Sequence, residues 1–485
     1  MNYKMIGRLL SYVILIEAGF MLFPLSVSII DGTAKATLAF GATIAGMVAL
    51  GLVILLLCRK ASIRFYESDG FVCVGISWVI LSMLGCIPFV ICGDIPNYID
   101  ALFEMVSGFT TTGASIVPNI EMCTRATILW RSVSNWLGGM GVLVFMLAIL
   151  PTGSGGFTMH LMRAESPGPS VGKLAPRMRQ TALILYAIYL GITILNIIAL
   201  LISGLSFFDA ACAAMSTAGT GGFGAYANSF AGFSPATQII TTIFMLLYGV
   251  NFSVYYLLLL GKISNVLRDE ELRLYLAVFA VGSGAIIWNL LRVSYYPTVG
   301  ETIRHATFQV SSIMTTTGFA TTDFDLWPTF SKGVLLILML LGACAGSTGG
   351  GMKMSRLLIY AKTLVRNIRH ALHPNRVSVV RINKAPVSET VINLSNAYLV
   401  AYVALHLISF LLISWDGFSV EANISAVVSL SNNIGPGFGE VGPTLNYAGY
   451  SFFSKIIFCI DMLAGRLEIF PILVLFSKHT WNRKA

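Results

Sequence analysis

Four short segments rich in threonine and glycine recur along this chain, and their backbone oxygens could bind a metal cation. In chain order they are called glycine loops 1 to 4, and they comprise residues 110–113, 217–221, 315–318 and 432–435. Their last glycines are separated by 108 residues (221 − 113), 97 residues (318 − 221) and 117 residues (435 − 318). Each interval accommodates two membrane-spanning helices and a re-entrant segment. We therefore expect four repeats around one axis, whose peptide carbonyls replace the water that a cation loses in a bilayer.

Threonine and glycine suit this chemistry for different reasons. Carbonyls that all point toward one axis require unusual backbone angles, which glycine adopts at little steric cost. Threonine adds a hydroxyl oxygen that either coordinates the ion or braces the loop. Neutral oxygens also release an ion faster than a carboxylate would. A single Thr-Thr-Thr-Gly is more often an ordinary helix-capping turn, so the prediction depends on four loops in matching repeat positions.

The composition requires a bilayer as the solvent of this chain. Of its 485 residues, 56% are hydrophobic and 11% are charged, and the mean hydropathy is +0.79. Soluble domains carry about 25% charged residues, and a soluble fold could not bury this much apolar surface. Only helices and closed barrels span membranes, and the apolar runs lack the strict alternation of barrel strands. We therefore predict an all-α polytopic membrane protein; the main runs are 44–57, 71–92, 142–150, 181–202, 239–260, 334–344 and 399–413.

The hydrophobic pattern divides the chain into two leading helices and four repeats. Spanning helices are expected at 6–30 and 36–58, and the first is interpreted as a retained helix and not as a signal peptide. Each repeat then consists of a spanning helix, a short helix, a glycine loop and a return helix. The short helices, of about 10–14 residues, reach half of the hydrocarbon thickness and are therefore re-entrant. The expected boundaries are 1–66 for the leading helices and 67–165, 166–268, 269–388 and 389–485 for the repeats.

Charged residues follow this topology. The net charge is +9, and the basic residues cluster where segments end. With a cytoplasmic N-terminus, ten spanning helices place these clusters and the C-terminus inside, as the positive-inside rule requires. We therefore expect no nucleic-acid partner, although anionic lipid or a cytosolic protein could contact the basic inner segments. The eight cysteines form no CxxC pair, so neither a zinc site nor a disulfide framework is expected.

Each short helix carries an acid near its start, and these acids are Asp100, Asp209, Glu301 and Glu421. A carboxylate at a helix N-terminus is favoured by the helix dipole, by about 0.3–1 kcal/mol. Direct contact with the ion is the alternative role. The opposite ends of the short helices would aim partial negative charge at a central cavity and stabilise a cation there.

The return helix of the third repeat contains a segment that we call the glycine-rich break, residues 342–351. Glycine costs about 1 kcal/mol per residue in a helix interior, so three consecutive glycines with two others nearby should unwind the helix. Close helix packing explains only one or two small residues. Unpaired backbone at this depth is tolerated where it lines an aqueous path. The segment does not match GxxxxGK[ST], because Met352 precedes Lys353, and we expect no nucleotide site there.

Arg466 lies inside the last apolar helix, where an arginine costs about 2.5–3.5 kcal/mol. A structural ion pair with Asp461 or Glu468 is one explanation, although Glu468 is two positions away and lies on the wrong side of the helix. The other explanation is a fixed positive charge below the glycine loops that opposes cation passage. We predict that Arg466 and the loop 345–352 together restrict flux.

Tryptophans and histidines give weaker signals. The tryptophans near predicted helix ends are expected to lie in an interfacial belt, and they are Trp130, Trp136, Trp327 and Trp415. The six histidines show no metal spacing, and His406 is expected to be a packed polar contact inside a helix.

The four loops, the broken third return helix and Arg466 resemble a known family, the K⁺ transporters that include bacterial Trk and Ktr and plant HKT. The similarity to TrkH-type subunits covers essentially the whole chain, including the two leading helices that Ktr-type subunits lack. It implies four covalently linked helix–pore helix–filter–helix repeats in pseudo-fourfold symmetry around one ion path. Glycine loop 4 departs most from the Thr-Thr-Gly form.

Carried across by position, this resemblance implies a selectivity filter above a gate. The filter would bind K⁺ at Thr111, Thr112, Gly113, Thr220, Gly221, Thr317, Gly318, Ile434 and Gly435. The gate would consist of Gly346, Ser347, Thr348, Gly349, Gly350, Gly351 and Arg466. In this family a serine in place of the first glycine accompanies Na⁺ preference, so the presence of Gly113 favours K⁺. The resemblance further implies a homodimer and a cytosolic TrkA-like regulatory subunit that binds ATP/ADP or NAD(H), with no organic cofactor on this chain.

The leading hypothesis is K⁺ uptake through a carbonyl-lined filter in the bacterial inner membrane, with both termini cytoplasmic. The alternative is a Na⁺- or H⁺-coupled symporter with a midplane site at the broken helix. Carriers of that kind show two corresponding broken helices, whereas this sequence indicates four loops and one break. A membrane enzyme is not expected, because no HExxH, Ser/His pair or paired carboxylates share an inner position.

Overall fold

The computed structural model describes residues 1–59, 66–141, 178–375 and 378–477 of the chain. Regular structure within these ranges is helical, apart from a two-stranded antiparallel hairpin that pairs Arg381–Ile382 with Ala385–Pro386. The prediction of an all-α fold with leading helices and four repeats is therefore confirmed.

Three helices form the leading region, Tyr3–Phe20, Leu22–Ile30 and Ala34–Leu57. The first two continue one another as a 28-residue span. The side chain of Asn2 accepts a hydrogen bond from the amide of Met5 at 3.1 Å, which satisfies one of the amides that a helix start leaves unpaired. These helices pack against each other and against the first helix of repeat 1.

Each repeat contains the same three parts in the same order. The first helices are Glu67–Gly85 with Ile87–Cys92, Met178–Ile202, Glu270–Arg292 and Glu389–Ile413. Pore helices 1 to 4 are Tyr98–Phe109, Phe207–Gly219, Val299–Met314 and Val420–Ser431. Return helices 1 to 4 comprise Arg125–Met140; Pro235–Tyr248 with Phe252–Leu259; Thr329–Leu340 with Met354–Leu372; and Phe452–Arg466 with Phe470–Phe476. A short helix, Ile263–Leu267, and four 3₁₀ turns (Ile120–Met122, Phe324–Leu326, Ser414–Asp416 and Gly439–Val441) complete the described helices.

The pore helices begin with the same capping arrangement. A polar side chain at each N-cap accepts a hydrogen bond from an amide of the first turn, and these caps are Asn97, Ser206, Thr298 and Ser419. The expected acids occupy the first turn of each pore helix, and they are Asp100, Asp209, Glu301 and Glu421. The cap satisfies an unpaired amide, and the acid neutralises the partial positive charge. Both act at the N-terminal end of the pore helix, opposite its glycine loop.

Three return helices are broken in mid-span, although the sequence predicted a break in the third alone. Return helix 2 bends by 91° between Tyr248 and Phe252. Its first part ends at Tyr248, and the side chain of Asn251 caps the second part by accepting a 2.9 Å hydrogen bond from the amide of Ser253. Return helix 4 breaks after Arg466, where Glu468 and Ile469 adopt φ of 55° and 67°. These breaks lack consecutive glycines, so composition does not reveal them.

The breaks also lower the number of helices that could cross a membrane unaided. Within the described residues, six helices are long and apolar enough to do so, or seven if the bent pair of return helix 2 is one span. The predicted ten include the four return helices, of which three are broken and the first is described only as far as residue 141. The difference from ten is therefore confined to the return helices.

Two of the four tryptophans do not lie in an interfacial belt. Trp130 is fully buried and donates a hydrogen bond to the carbonyl oxygen of Gly85 at 2.9 Å. Trp327 is also buried and donates to the hydroxyl of Tyr296 at 3.1 Å. Trp415, by contrast, is 91% exposed. The belt prediction is therefore wrong for Trp130 and Trp327, whose side chains pack inside the protein.

Candidate functional site

The four glycine loops share one backbone conformation at the ends of the pore helices. One residue in each loop adopts φ of 55–57°, and these are Thr111, Thr220, Thr316 and Asn433. Two residues later comes a glycine with positive φ, and these are Gly113 (76°), Gly222 (69°), Gly318 (80°) and Gly435 (106°). Positive φ is a genuine outlier for a β-branched residue such as threonine. Strain of this kind, of order 1–3 kcal/mol per residue, concentrates at functional sites.

The same hydrogen bond closes each loop onto its pore helix. The amide between the two positive-φ residues donates to the carbonyl oxygen of a serine five residues earlier, at 2.8–2.9 Å. The donors are Thr112, Gly221, Thr317 and Ile434, and the acceptors are Ser107, Ser216, Ser312 and Ser429. The four loops therefore turn at the same point, with a serine at the same register.

Glycine loop 2 extends one residue further than the sequence indicated. Gly222, and not Gly221, has the positive φ that Gly113 has in glycine loop 1. Gly221 instead corresponds to Thr112, because its amide makes the equivalent bond to the pore helix. Two adjacent glycines in the sequence gave no means of deciding between these registers. The equivalent of Thr111 in this loop is Thr220.

The loops contact one another in cyclic order and form a closed assembly that we call the ring, residues 111–113, 220–222, 316–318 and 433–435. A Cβ atom built on each glycine would meet a carbonyl oxygen of the neighbouring loop: Gly113 meets Gly221 at 1.9 Å, Gly222 meets Thr317 at 1.9 Å, Gly318 meets Ile434 at 2.0 Å, and Gly435 meets Thr112 at 2.7 Å. Backbones this close leave no room for a side chain. Glycine is therefore required at all four positions by contact as well as by φ.

One open cavity lies against the ring. It has an empty volume of about 680 Å³, including the part open to solvent, and its wall contains Gly113, Gly222, Gly318 and Gly435. Because all four glycines line a single space, the four quarters of the ring share one axis. Arg131 and Tyr226 are among the residues that line the remainder of the cavity.

Side-chain bracing differs between the quarters. In glycine loop 1 the hydroxyls of Thr110 and Thr112 are 2.8 Å apart, and in glycine loop 3 those of Thr315 and Thr317 are also 2.8 Å apart. The corresponding positions in loops 2 and 4 carry no hydroxyl. Asn433 replaces this bracing in glycine loop 4, since its side-chain nitrogen Nδ2 donates to the hydroxyl of Thr112 at 3.0 Å.

The glycine-rich break lies against both the ring and return helix 2. The amide of Gly350 donates to the hydroxyl of Thr316 at 2.7 Å, and the carbonyl oxygen of Gly346 accepts from the amide of Phe252 at 3.0 Å. Thr348 donates its hydroxyl to the carbonyl oxygen of Tyr248 at 3.3 Å. The break is therefore a folded segment with defined partners.

A carboxylate links the glycine-rich break to the helix that follows it. One oxygen of Glu271 accepts from the amide of Ala345 at 2.6 Å and from the amide of Ser355 at 3.0 Å. Glu271 lies in the first turn of the first helix of repeat 3. Sequence reasoning did not single out this residue, because an acid in the first turn of a helix is common and its distant partners are backbone amides.

Arg466 joins three parts of the site. Its guanidinium donates to the hydroxyl of Thr111 at 3.2 Å and to the carbonyl oxygen of Thr348 at 2.8 Å. It also donates to the carbonyl oxygens of Gly138 and Gly139, the latter at 2.6 Å. Arg466 thus contacts the ring, the glycine-rich break and the end of return helix 1.

The two carboxylates considered as partners of Arg466 have other contacts. Glu468 forms an ion pair with Arg356, and Asp461 accepts a hydrogen bond from the hydroxyl of Ser409 at 2.6 Å. Arg466 is the last residue of its helix and not an interior one. This position gives the guanidinium access to carbonyl oxygens that a continuous helix would use internally.

His406 lies where a packed polar contact was expected. Its two ring nitrogens are 2.8 Å from the carbonyl oxygen of Tyr402 and 2.9 Å from the hydroxyl of Ser431. Ser431 is the last residue of pore helix 4. The histidine therefore links the first helix of repeat 4 to the end of its pore helix.

Comparisons with known proteins agree with this arrangement. A sequence profile of the TrkH family, described as cation transport proteins, matches residues 37–483. The chain is similar to the Trk system potassium uptake protein TrkH of Salmonella typhimurium, with 34% identity over 493 residues that cover 99% of this chain and 100% of the relative. It is also similar to TrkG of Escherichia coli, with 32% identity over 432 residues and 87% of each chain. The crystal structure of the potassium transporter TrkH from Vibrio parahaemolyticus matches with a TM-score of 0.88 and 30% identity, over 99% of this chain and 100% of that one. The chain therefore belongs to the TrkH family of cation transport proteins, as its resemblance to that family implied, and it is a transporter and not an enzyme.

Proposed function

We propose that this chain takes up K⁺ across the cell membrane and that the ring is its selectivity filter. The observation that carries the proposal is the closed cyclic contact of four strained glycine loops around one open cavity. The names of the relatives, potassium uptake proteins over the full length of this chain, support K⁺ as the transported ion. Each repeat, within the boundaries expected above, supplies one quarter of the ring.

Peptide oxygens are the proposed ligands of the ion. The carbonyls of Thr112, Gly221, Thr317 and Ile434 already lie at the contacts between neighbouring loops. The rest of the proposed filter comprises Thr111, Gly113, Thr220, Gly318 and Gly435, together with Gly222. Neutral oxygens suit a site that must admit and release an ion quickly.

The pore helices supply a further electrostatic contribution. All four end where the ring begins, so the partial negative charges of their C-terminal carbonyls converge on it. A dehydrated cation is thereby stabilised without a formal negative charge, which would hold it too firmly.

We assign the gate to Arg466 and the glycine-rich break. The supporting contacts are those of Arg466 with Thr111 and Thr348 and that of Gly350 with Thr316. A fixed positive charge directly under the ring opposes the passage of a cation. The remaining residues of the proposed gate are Gly346, Ser347, Gly349 and Gly351.

The cellular location and the partners are proposed from membership of the family. We propose a bacterial inner-membrane location with both termini cytoplasmic, since the basic clusters then lie inside. We also propose a homodimer and a cytosolic TrkA-like subunit that binds ATP/ADP or NAD(H) and controls opening. The proposed contact surface for such a subunit is the basic end of the helix Met354–Leu372, which carries Arg369 and His370 in its last turn.

Ion flux into liposomes that contain only this chain tests the proposal. We expect Rb⁺, as a tracer for K⁺, to enter, unlabelled K⁺ to compete with it, and Na⁺ and Li⁺ to compete poorly. Empty liposomes are the control. Rb⁺ entry that is indifferent to K⁺ would exclude K⁺ uptake as the function.

A Na⁺- or H⁺-coupled symporter remains the second candidate, and the breaks in return helices 2, 3 and 4 favour it, because broken helices line midplane sites in carriers. The same liposomes separate the two mechanisms. A symporter accumulates Rb⁺ when a Na⁺ or H⁺ gradient is applied at zero membrane potential, whereas an uncoupled path only equilibrates it.

A further inference from the structure

A buried ion pair lies directly behind the ring, where glycine loops 1 and 2 meet. Glu104 belongs to pore helix 1 and Arg131 to return helix 1. The Nε atom of Arg131 is 2.7 Å from Oε1 of Glu104, and the two side chains are 2% and 0% exposed. Two full charges in such a place are expensive to desolvate, and apolar side chains of the same size would stabilise the protein as well or better. The pair therefore calls for an explanation other than stability.

Glu104 holds the backbone that leaves glycine loop 1. Its Oε2 accepts from the amide of Ile116 at 2.8 Å, and the hydroxyl of Ser115 donates to its Oε1 at 3.0 Å. Both residues follow Gly113 within three positions. The carboxylate thus holds the backbone segment that directly follows the first quarter of the ring.

Arg131 holds the backbone that leaves glycine loop 2. Its guanidinium donates to the carbonyl oxygen of Gly224 at 3.3 Å and lies 4.1 Å from the ring centroid of Phe223. It also donates to the hydroxyl of Ser115 at 3.3 Å. Gly224 and Phe223 directly follow Gly222, so one guanidinium ties the second quarter of the ring to the first.

The other pore helices form without an acid at this position. The residues nine positions before Gly222, Gly318 and Gly435 are Ala213, Gln309 and Ala426, whereas Glu104 stands nine positions before Gly113. The repeat fold therefore does not require a carboxylate here. What distinguishes the position in repeat 1 is the tie between two loops, at the junction where Gly113 approaches the carbonyl oxygen of Gly221.

We propose that Glu104 and Arg131 are positioning residues that fix the spacing of glycine loops 1 and 2 and thereby the preference of the ring for K⁺ over Na⁺. This inference rests on the proposed function. Na⁺ is the smaller ion, so its carbonyl ligands must approach more closely than those of K⁺. A charged clamp on the outer side of both loops resists that contraction, since the guanidinium fork fixes its partners in both distance and direction.

An effect of charge alone predicts something different. Arg131 lines the open cavity, so its charge could act on every approaching cation, with Glu104 as its neutraliser. Loss of that neutralisation would lower K⁺ and Na⁺ entry by the same factor and would depend on ionic strength. Loss of positioning changes the ratio of the two ions.

The test compares E104Q and R131K with the parent chain and with R125Q, by Rb⁺ entry into liposomes at rising Na⁺ concentration. E104Q keeps the shape of the side chain without its charge, and R131K keeps the charge without the fork. Arg125, on the same helix, pairs with Asp31 at the surface, where its side chain is 54% exposed. We expect Na⁺ to inhibit entry at about tenfold lower concentration in E104Q and R131K, and at the parental concentration in R125Q.

The outcomes separate cleanly. If Rb⁺ entry through the parent chain is indifferent to K⁺, the proposed function is rejected. If the parent chain is selective and Na⁺ inhibits the variants at the parental concentration, the positioning role alone is rejected. A fall of Rb⁺ entry with the inhibitory Na⁺ concentration unchanged also rejects it. If E104Q does not accumulate in membranes, R131K decides, because it leaves no uncompensated carboxylate, and unchanged selectivity of R131K overturns the proposal.

Discussion

The guanidinium of Arg466 donates a hydrogen bond to the carbonyl oxygen of Thr348 at 2.8 Å and thereby links return helix 4 to the glycine-rich break of repeat 3. The same guanidinium reaches Thr111, in the ring, at 3.2 Å. A single side chain from the last repeat therefore connects the proposed filter to the proposed gate. Movement of the break away from the ring requires these bonds to be exchanged for others.

Replacement of Arg466 by alanine should increase cation entry. The change removes both the fixed charge and the bonds that hold the break beneath the ring, and we expect Rb⁺ entry to rise about tenfold, equivalent to roughly 1.4 kcal/mol. R466K is the matched control, because it keeps the charge but not the fork, and should give an intermediate rate. Conductance and gating that are unaltered in R466A would remove Arg466 from the gate.

Replacement of Gly113 by serine should weaken discrimination against Na⁺. A Cβ atom there would lie 1.9 Å from the carbonyl oxygen of Gly221 at φ of 76°, so the junction of loops 1 and 2 must rearrange. Competition by Na⁺ for Rb⁺ entry measures the effect. G300S serves as control, since a Cβ on Gly300 meets nothing within 4 Å. Selectivity equal to that of the parent would speak against a ring of four equivalent loops.

The register of glycine loop 2 is testable with two alanine variants. In G222A the new methyl group would lie 1.9 Å from the carbonyl oxygen of Thr317 at a φ of 69°, which an L-residue rarely adopts. In G221A the methyl group meets the side chain of Asn135 and not a backbone atom, and no positive φ is involved. We expect G222A to abolish selective Rb⁺ entry and G221A to retain part of it. The reverse order would restore Gly221 as the equivalent of Gly113.

The ion pair between Arg356 and Glu468 should matter for stability. The two side chains are 6% and 9% exposed and join the inner parts of return helices 3 and 4. Removal of one partner from a buried pair costs about 3–5 kcal/mol, so E468Q should lower the thermal unfolding temperature of the detergent-solubilised protein.

R125Q is the surface counterpart, and an exposed pair contributes about 0–1 kcal/mol. Its unfolding temperature should therefore stay close to that of the parent. Equal unfolding temperatures for E468Q and the parent would show that the buried pair contributes little to folding.

The sequence predicted the features that depend on local composition. The four glycine loops, the short helices with Asp100 or its equivalents and the glycine-rich break all leave a pattern within a few residues of the chain, because each depends on the backbone preferences of glycine or on a helix dipole. The family resemblance followed from these patterns and is confirmed by the comparisons.

The remaining features depend on contacts between distant segments. The break in return helix 2 requires Asn251 to cap a new helix, and the break in return helix 4 places Glu468 and Ile469 at positive φ without any glycine. The pair of Glu104 and Arg131 joins residues 27 positions apart. The available signal for such contacts is a charged residue inside an apolar segment, as at Arg466.

Covalent fusion of the four quarters has an evolutionary consequence. The hydroxyl pairs of Thr110 with Thr112 and of Thr315 with Thr317 occur in opposite quarters, while the corresponding positions of the other two quarters carry no hydroxyl. In an assembly of four identical subunits every substitution appears fourfold, and such an alternation could not arise. A single gene for all four quarters lets each quarter of the proposed filter vary alone, so that a substitution changes the surroundings of the ion on one side only.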